Sequence, residues 1–492
     1  MNAFAAVQPR VARAWRSPAL LLVLICVAQF MVILDVAVVN VALPSIRASL
    51  HFSNAGLPWV INAYTLTFAG FLMLGGRASD LLGRRRVLLA GIAVFTLASL
   101  ACALSGSPAV LITARAVQGV GGAVISPASL AILTTSFAEG RERNRALGAW
   151  GAIGGIGAAS GALLGGLLTQ GLGWQWVFLI NVPVGLAVLA AAPRIVPEGR
   201  AELGHRHFDL TGAVLVTGGF VALVYGIVRA EALGWTAAGV IAPLAAGAVL
   251  LASFALVEGR LAQAPLVPLR ILARRRLRAA NGVVLALYAG VFSMWYFLSL
   301  YVQAVLGFDA IRTGLAFLPM TVGVAVASAF APLVVARIGL RATITAGMAL
   351  AAGGLALLTG MRPGGAFAAT VLPGGMLAAI GLGLALVPST IVAVQGVPAE
   401  LAGVASGLLN TARLLGGALG LAVLTTIAGS REHAAQHAGA GALQALTDGY
   451  GTAMLVGALV VAAGALAAIL LLREPRGAAP GRAAIAAPAR EP

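Results

Sequence analysis

Fourteen stretches of this 492-residue chain are each about twenty residues long and nearly free of charge, and that recurrence decides the class of fold before any motif is considered. Within a bilayer the backbone must satisfy its own hydrogen bonds, so segments of this length cross as helices. They run near 19–42, 57–75, 87–106, 108–136, 147–170, 174–193, 209–229, 236–257, 280–305, 314–336, 342–361, 366–390, 403–428 and 450–472. Sixty per cent (60%) of the residues are hydrophobic and 10% charged, and the mean hydropathy is +0.99, a balance that no soluble domain tolerates on its surface. The expectation is an all-α polytopic membrane protein.

Of 15 acidic residues, Asp35 alone falls in the interior of one of these stretches. An ionised side chain at the centre of a membrane helix costs roughly 2.5–3.5 kcal/mol on insertion scales, so a chain that keeps one has a use for it. One use is to take up and release a proton. The other is a structural hydrogen bond near the end of helix 1.

The net charge of +17 raises the question of a nucleic-acid partner. Every basic residue is arginine, and the location of the arginines answers it. With the N-terminus in the cytoplasm, 25 of 32 fall in the tails and in loops after even-numbered helices, 5 on the opposite side (Arg47, Arg229, Arg312, Arg362, Arg431), and Arg115 and Arg413 lie within spans. That asymmetry follows the positive-inside rule, places both termini in the cytoplasm and argues against nucleic-acid binding. The first stretch exceeds twenty residues and reaches Leu43 and Pro44 without a small-residue cleavage site, so it reads as an uncleaved span rather than a signal peptide. Cys26 and Cys102 both sit in predicted helices, which argues against a disulfide framework.

A weak duplication runs through the chain. The turn after helix 2 holds Gly83 and that after helix 10 holds Gly339, an offset of 256; helix 5 opens with Gly148 and helix 13 with Gly403, an offset of 255. Two parallel six-helix repeats with two inserted helices produce this spacing. The expected division is a six-helix bundle over 1–196, inserted helices 7 and 8 with their linkers over 197–278, a second bundle over 279–474, and a disordered cytoplasmic tail over 475–492.

In helix 4, Arg115, Gln118, Gly119 and Gly122 share one face, which sets a buried cation beside a glycine track that another helix can approach. Asp35 is the one carboxylate within the spans able to neutralise Arg115; a static brace to backbone carbonyls is the alternative. A neighbouring cation and burial act oppositely on a carboxylate's proton affinity, so a site that changes its exposure can switch. In helix 13, Ser406, Asn410, Arg413 and Gly417 form a polar seam that either lines a cavity or ties helices together. Helix 9 carries Tyr288, Phe292 and Trp295 at spacings of four and three, and helix 2 carries Tyr64; these are core packing or the apolar wall of a binding site. The segment from Gly76 to Arg86 reads as a tight turn in which Asp80 sits near arginines.

None of the 5 histidines lies in a predicted span, which disfavours a histidine proton relay. His433 and His437, placed in an external loop before helix 14, are read as solvent-exposed rather than as a metal pair. No glycine loop ends in lysine, so ATP hydrolysis is disfavoured.

Several segments together resemble the major facilitator superfamily, and within it the fourteen-helix drug:proton antiporters of the EmrB/QacA type. They are the Asp80, Gly83, Arg84 turn; Leu34, Asp35 through Asn40 to Pro44; Arg115, Gln118, Gly119 and Gly122; Gly148, Gly157, Gly161, Gly165 and Gly166; Trp174, Gln175, Trp176 with Asn181, Val182, Pro183; Gln303, Gly307 and Pro319; and Gly403, Ser406, Gly407, Asn410, Arg413, Gly416 and Gly417. Two departures stand out: Ala162 where the family usually has proline, and Gln175 where arginine is usual. The resemblance implies the major facilitator fold, proton coupling through Asp35 and Arg115, conformational gating by Asp80, Gly83, Arg84, Gly157, Gly161 and Gly165, and substrate contacts among Tyr64, Gln118, Tyr288, Phe292, Trp295, Asn410 and Arg413.

The expectation is therefore a multi-pass transporter of the cytoplasmic membrane that works as a monomer. It exports hydrophobic or amphipathic small molecules against protons, with no cofactor or metal. Because one carboxylate must also carry the proton, cationic compounds suit the site poorly and neutral or weakly charged ones are favoured. The competing readings are an importer or facilitator of another solute in the same superfamily, a membrane enzyme acting on lipid-linked substrates, and a non-transporting sensor.

Overall fold

A computed structural model describes residues 17–53, 56–137, 141–198, 210–261, 271, 274–395, 397 and 402–472, and the chain is helical through nearly all of them. The helices are α1 (Pro18–Leu50), α2 (Trp59–Leu82), α3 (Arg84–Ala103), α4 (Pro108–Ser136), α5 (Arg141–Gly171), α6 in two pieces (Trp176–Leu179 and Asn181–Ile195), α7 (Leu210–Leu233), α8 (Ala238–Leu256), α9 (Arg275–Leu300), α10 (Ala310–Ile338), α11 (Leu340–Leu357), α12 (Leu372–Val394), α13 (Ala402–His437) and α14 (Ala442–Leu471). Among the described residues 11 spans are long and apolar enough to cross a membrane, and α2 and α7 contain the shorter apolar stretches Trp59–Leu72 and Val214–Ala230.

Local chemistry sets the helix ends. Ser17 and Ser107 are extended N-caps followed by proline at the first helical position, where a missing N–H costs nothing, and each hydroxyl accepts from a backbone amide three residues on. Asp309 caps α10 by accepting from the Arg312 amide at 2.7 Å. Gly83 and Gly339 end α2 and α10 with φ of 106° and 84°, a region that L side chains rarely enter, so both reversals need glycine.

Three boundaries depart from the sequence reading, all because hydropathy reports the thickness of the hydrocarbon and not the extent of backbone hydrogen bonding. Residues 76–82, expected as part of a turn, are helical, and only Gly83 breaks the chain before α3. Helix α1 continues through Pro44 to Leu50, which puts Asp35 at its middle rather than near its end. Helix α13 runs on to His437, so His433 and His437 are exposed side chains on its last turns, not loop residues. The expected tail over 475–492 lies outside the described residues, as do most of the linkers around α7 and α8.

Packing repeats at an offset of eight helices. Helix α1 lies along α5, α2 along α4 and α3 along α4; in the same way α9 lies along α13, α10 along α12 and α11 along α12. The two sets meet where α5 crosses α10, α13 crosses α2 and α1 touches α9. Helix α7 leans on α2 and α13 and carries α8, whose buried residues are Val240 and Gly247. Close crossings are made by small residues: Gly166 abuts the Ala310 carbonyl and Gly314 the Ala162 carbonyl, so α5 and α10 touch backbone to backbone. Nearby, Ser299 donates to the Asn40 carbonyl at 2.6 Å, Gln303 to the Val41 carbonyl at 3.1 Å, and the Ile311 amide to Gln170 Oε1 at 3.2 Å. These contacts close the two sets at the end of the molecule that carries the α1–α2 loop. Elsewhere large apolar side chains such as Leu97, Val249 and Leu459 face outward at more than half exposure, a surface that requires lipid.

Candidate functional site: a buried ion pair

Asp35 stands at the middle of α1, 0% exposed, and three donors converge on its carboxylate. Arg115 Nη1 donates to Oδ2 at 2.5 Å, Gln118 Nε2 to Oδ1 at 2.7 Å and Asn181 Nδ2 to Oδ1 at 3.1 Å. Arg115 and Gln118 are three apart on α4, so one helix face delivers the cation and an amide together. Asn181 opens the second piece of α6, after the break at Ile180.

The cation is as enclosed as the anion, at 1% exposure. Its Nε donates to the Val60 carbonyl at 2.9 Å, and its Nη1 also donates to Gln118 Oε1 at 2.6 Å. The guanidinium carbon lies 4.4 Å above the Tyr64 ring and 5.6 Å from that of Phe178, so aromatic faces replace water on its flanks. Gln118 donates in turn to Ser99 Oγ at 2.8 Å. The cluster thus draws on α1, α2, α3, α4 and α6. An ion pair so far from water depends on hydrogen bonds to its remaining donors and acceptors, and here both carboxylate oxygens, Arg115 Nε and Nη1 and both ends of the Gln118 amide are engaged, while Tyr64 Oη and Asn181 Oδ1 have no partner among the described residues.

Helices flanking the pair approach on glycine. Gly119 of α4 sits on the Tyr64 carbonyl and Gly122 on Phe68 of α2. On the other side of α1, Gly157 faces Ile33, Gly161 presses on Ala37 and Gly165 lies over the Val38 carbonyl and Val41. Gly157 and Gly161 meet α1 chiefly two residues before and two residues after Asp35, Gly165 meets it further toward its C-terminal end, and together they offer a side-chain-free track. Helix α5 is unbroken at Ala162, where the family usually has proline.

The remaining expected residues divide into groups. Tyr64 and Gln118, expected against substrate, are parts of the ion-pair cluster and are fully buried. Tyr288, Phe292 and Trp295 form a half-buried stripe on α9; Asn410 and Arg413 are half-buried on α13, with the Arg413 guanidinium 5.7 Å from the Tyr288 ring centre. Gly83 is the turn between α2 and α3, the side chain of Asp80 lies outside the described residues, and Arg84 opens α3. At that end Arg85 and Arg86 reach Glu198 at 3.4 and 3.6 Å, and Arg85 also donates to the Pro193 carbonyl, tying the turn to the end of α6. Ser99, Asn181 and Glu198 were not picked out as site residues. Asn181 carried a signal as a polar residue within the apolar stretch 174–193 and as part of a family-like segment, whereas Ser99 carried none.

Comparison with known proteins bears on this geometry. The family model described as Major Facilitator Superfamily matches residues 25–421. The chain is 44% identical over 411 residues to the cephamycin export protein CmcT of Amycolatopsis lactamdurans, covering 83% of this chain and 85% of that one. It is 42% identical over 410 residues to the puromycin resistance protein pur8 of Streptomyces alboniger, covering 82% and 81%. In fold it resembles an auto-inhibited peptide transporter of the POT family, with a TM-score of 0.67 at 16% identity over 93% of this chain and 97% of that one.

Proposed function

The chain belongs to the Major Facilitator Superfamily, and we propose that it is a proton-coupled antiporter that exports hydrophobic or amphipathic small molecules across the cytoplasmic membrane. The observation that carries the reading is the sealed Asp35–Arg115 pair, placed where four other elements converge on α1. Similarity to an export protein and a resistance protein supports the outward direction of transport.

Ionised Asp35 fastens α1 to α4 through Arg115 and Gln118, and to α6 through Asn181. A proton on the carboxyl removes the charge that holds Arg115, and α1 is then free to shift along the glycine track of α5. Because α5 also abuts α10, a shift of α1 against α5 reaches the contact between the two halves. Alternating access follows: the protonated form favours one arrangement and bound substrate the other. The α1–α2 end is the external one in this reading, both termini are cytoplasmic, and the protein acts as a monomer without catalytic chemistry. Protons supply the energy, about 2.3 kcal/mol per charge per 100 mV for the electrical part.

The test is expression in an efflux-deficient bacterium challenged with a panel of toxic amphipathic compounds. The wild type raises tolerance to at least one of them, and Asp35→Asn, present in the membrane at equal amount, does not. Tolerance that Asp35→Asn preserves in full rules the coupling out.

A further inference from the structure

The interiors of the described helices hold one more cation than their anions balance. Their mid-helix charges are Asp35, Arg115 and Arg413, and Arg115 already occupies Asp35. Arg413 is half-buried, rests against the Tyr288 ring at 5.7 Å, and has neither an ion pair nor a hydrogen bond among the described residues. Helix α9 is packed on α1, α11, α12, α13 and α14 and leaves Tyr288, Phe292 and Trp295 as a half-buried stripe along it. Phe317 of α10 borders that stripe edge-on at 5.5 Å from Trp295, and Gly417 of α13 borders it beside Phe292. Asn410, three residues before Arg413, shares the same face of α13.

We propose that Arg413 anchors an acidic group of the exported molecule, so that the substrates are amphipathic compounds with an apolar or aromatic body and a carboxylate or similar monoanion. This names the substrate class of the transport site and rests on the export reading above. A guanidinium in an apolar surround is costly without an anion, and its planar fork matches a carboxylate in two parallel hydrogen bonds. The Tyr288 ring beneath fixes the plane of the fork, Asn410 adds a donor one turn away, and Tyr288, Phe292 and Trp295 supply the apolar wall. A neutral analogue of the same shape leaves the guanidinium unpaired, which turns the charge into selectivity.

The experiment is equilibrium binding of pyrenebutyrate and pyrenebutyramide, which share a body and differ in charge, to the purified full-length protein in detergent without any ion gradient. The wild type binds the acid at least about tenfold more tightly than the amide, roughly the effect of one charge-assisted pair. Arg413→Gln loses that preference while binding the amide within about twofold of wild type, and Arg413→Lys, which keeps the charge, retains part of it. A wild type with no preference for the acid, including one that binds neither probe, overturns the proposal. So does a preference that survives Arg413→Gln, or an Arg413→Gln that weakens both probes equally, as a purely structural brace would. Because the measurement uses no gradient, it separates from proton coupling: an intact acid preference beside an absence of pH-driven flux sinks the coupling alone.

Discussion

Replacing both members of the buried pair should cost less than the two single replacements added together, and the geometry sets the sizes. Asp35→Asn leaves Arg115 at 1% exposure, always charged, with neutral acceptors alone: the Val60 carbonyl, Gln118 Oε1 and the new amide oxygen at position 35. Breaking one side of a buried pair costs about 3–5 kcal/mol, and against the stranded charge the site offers only these dipoles and the Tyr64 and Phe178 rings. Arg115→Gln is milder, about 2–3 kcal/mol, because Asp35 keeps the amides of Gln118 and Asn181 and can take up a proton. Removing both charges strands neither, so the double variant should fall short of the sum by about 2–3 kcal/mol. Reversible unfolding by SDS titration in mixed micelles, followed by tryptophan fluorescence and far-UV circular dichroism, measures all four corners of the cycle. Additivity within about 0.5 kcal/mol would refute the view that the two charges hold each other in place.

Three further outcomes follow from contacts elsewhere in the site. Gly161→Ala has no room for its methyl against Ala37 and the Val38 backbone, whereas Gly157→Ala meets side chains alone, Ile33 at 2.8 Å and Phe30 at 3.6 Å; transport should fall far more for the first, and Ala37→Gly should restore part of it in a whole-cell efflux assay. Tyr64→Phe removes a hydroxyl that has no hydrogen-bond partner among the described residues and should export within about twofold of wild type, while Tyr64→Leu removes the ring under Arg115 and should lose about 1–2 kcal/mol of stability by the same titration. Glu198→Gln breaks pairs between partly exposed groups and should change stability by less than about 1 kcal/mol, which thermal unfolding in detergent checks.

The two partners were legible because charge inside an apolar run is conspicuous and must be balanced, and the spans offered one carboxylate for Arg115; their direct contact is seen only in the fold. The face shared by Arg115, Gln118 and Gly119 was legible from spacing alone. What escaped was the neutral half of the network. Ser99 reads as one more small residue in an apolar helix, and the role of Asn181 depends on α6 packing against α1, which its sequence does not announce. Tyr64 shows a different limit: an aromatic within a span reads as core packing or as a binding wall, and only the fold shows it beneath a guanidinium. Helix lengths were short wherever polar residues continue a helix past the apolar run, as at 76–82 and at the end of α13.

Proteoliposomes loaded with a pH-sensitive dye test whether the Asp35 carboxyl carries the proton that drives export. An imposed proton gradient should drive transport of an exported compound together with proton movement in the opposite direction. Asp35→Asn should abolish both while leaving gradient-free exchange of the compound measurable. Gradient-driven transport with undiminished proton movement in Asp35→Asn would contradict the account.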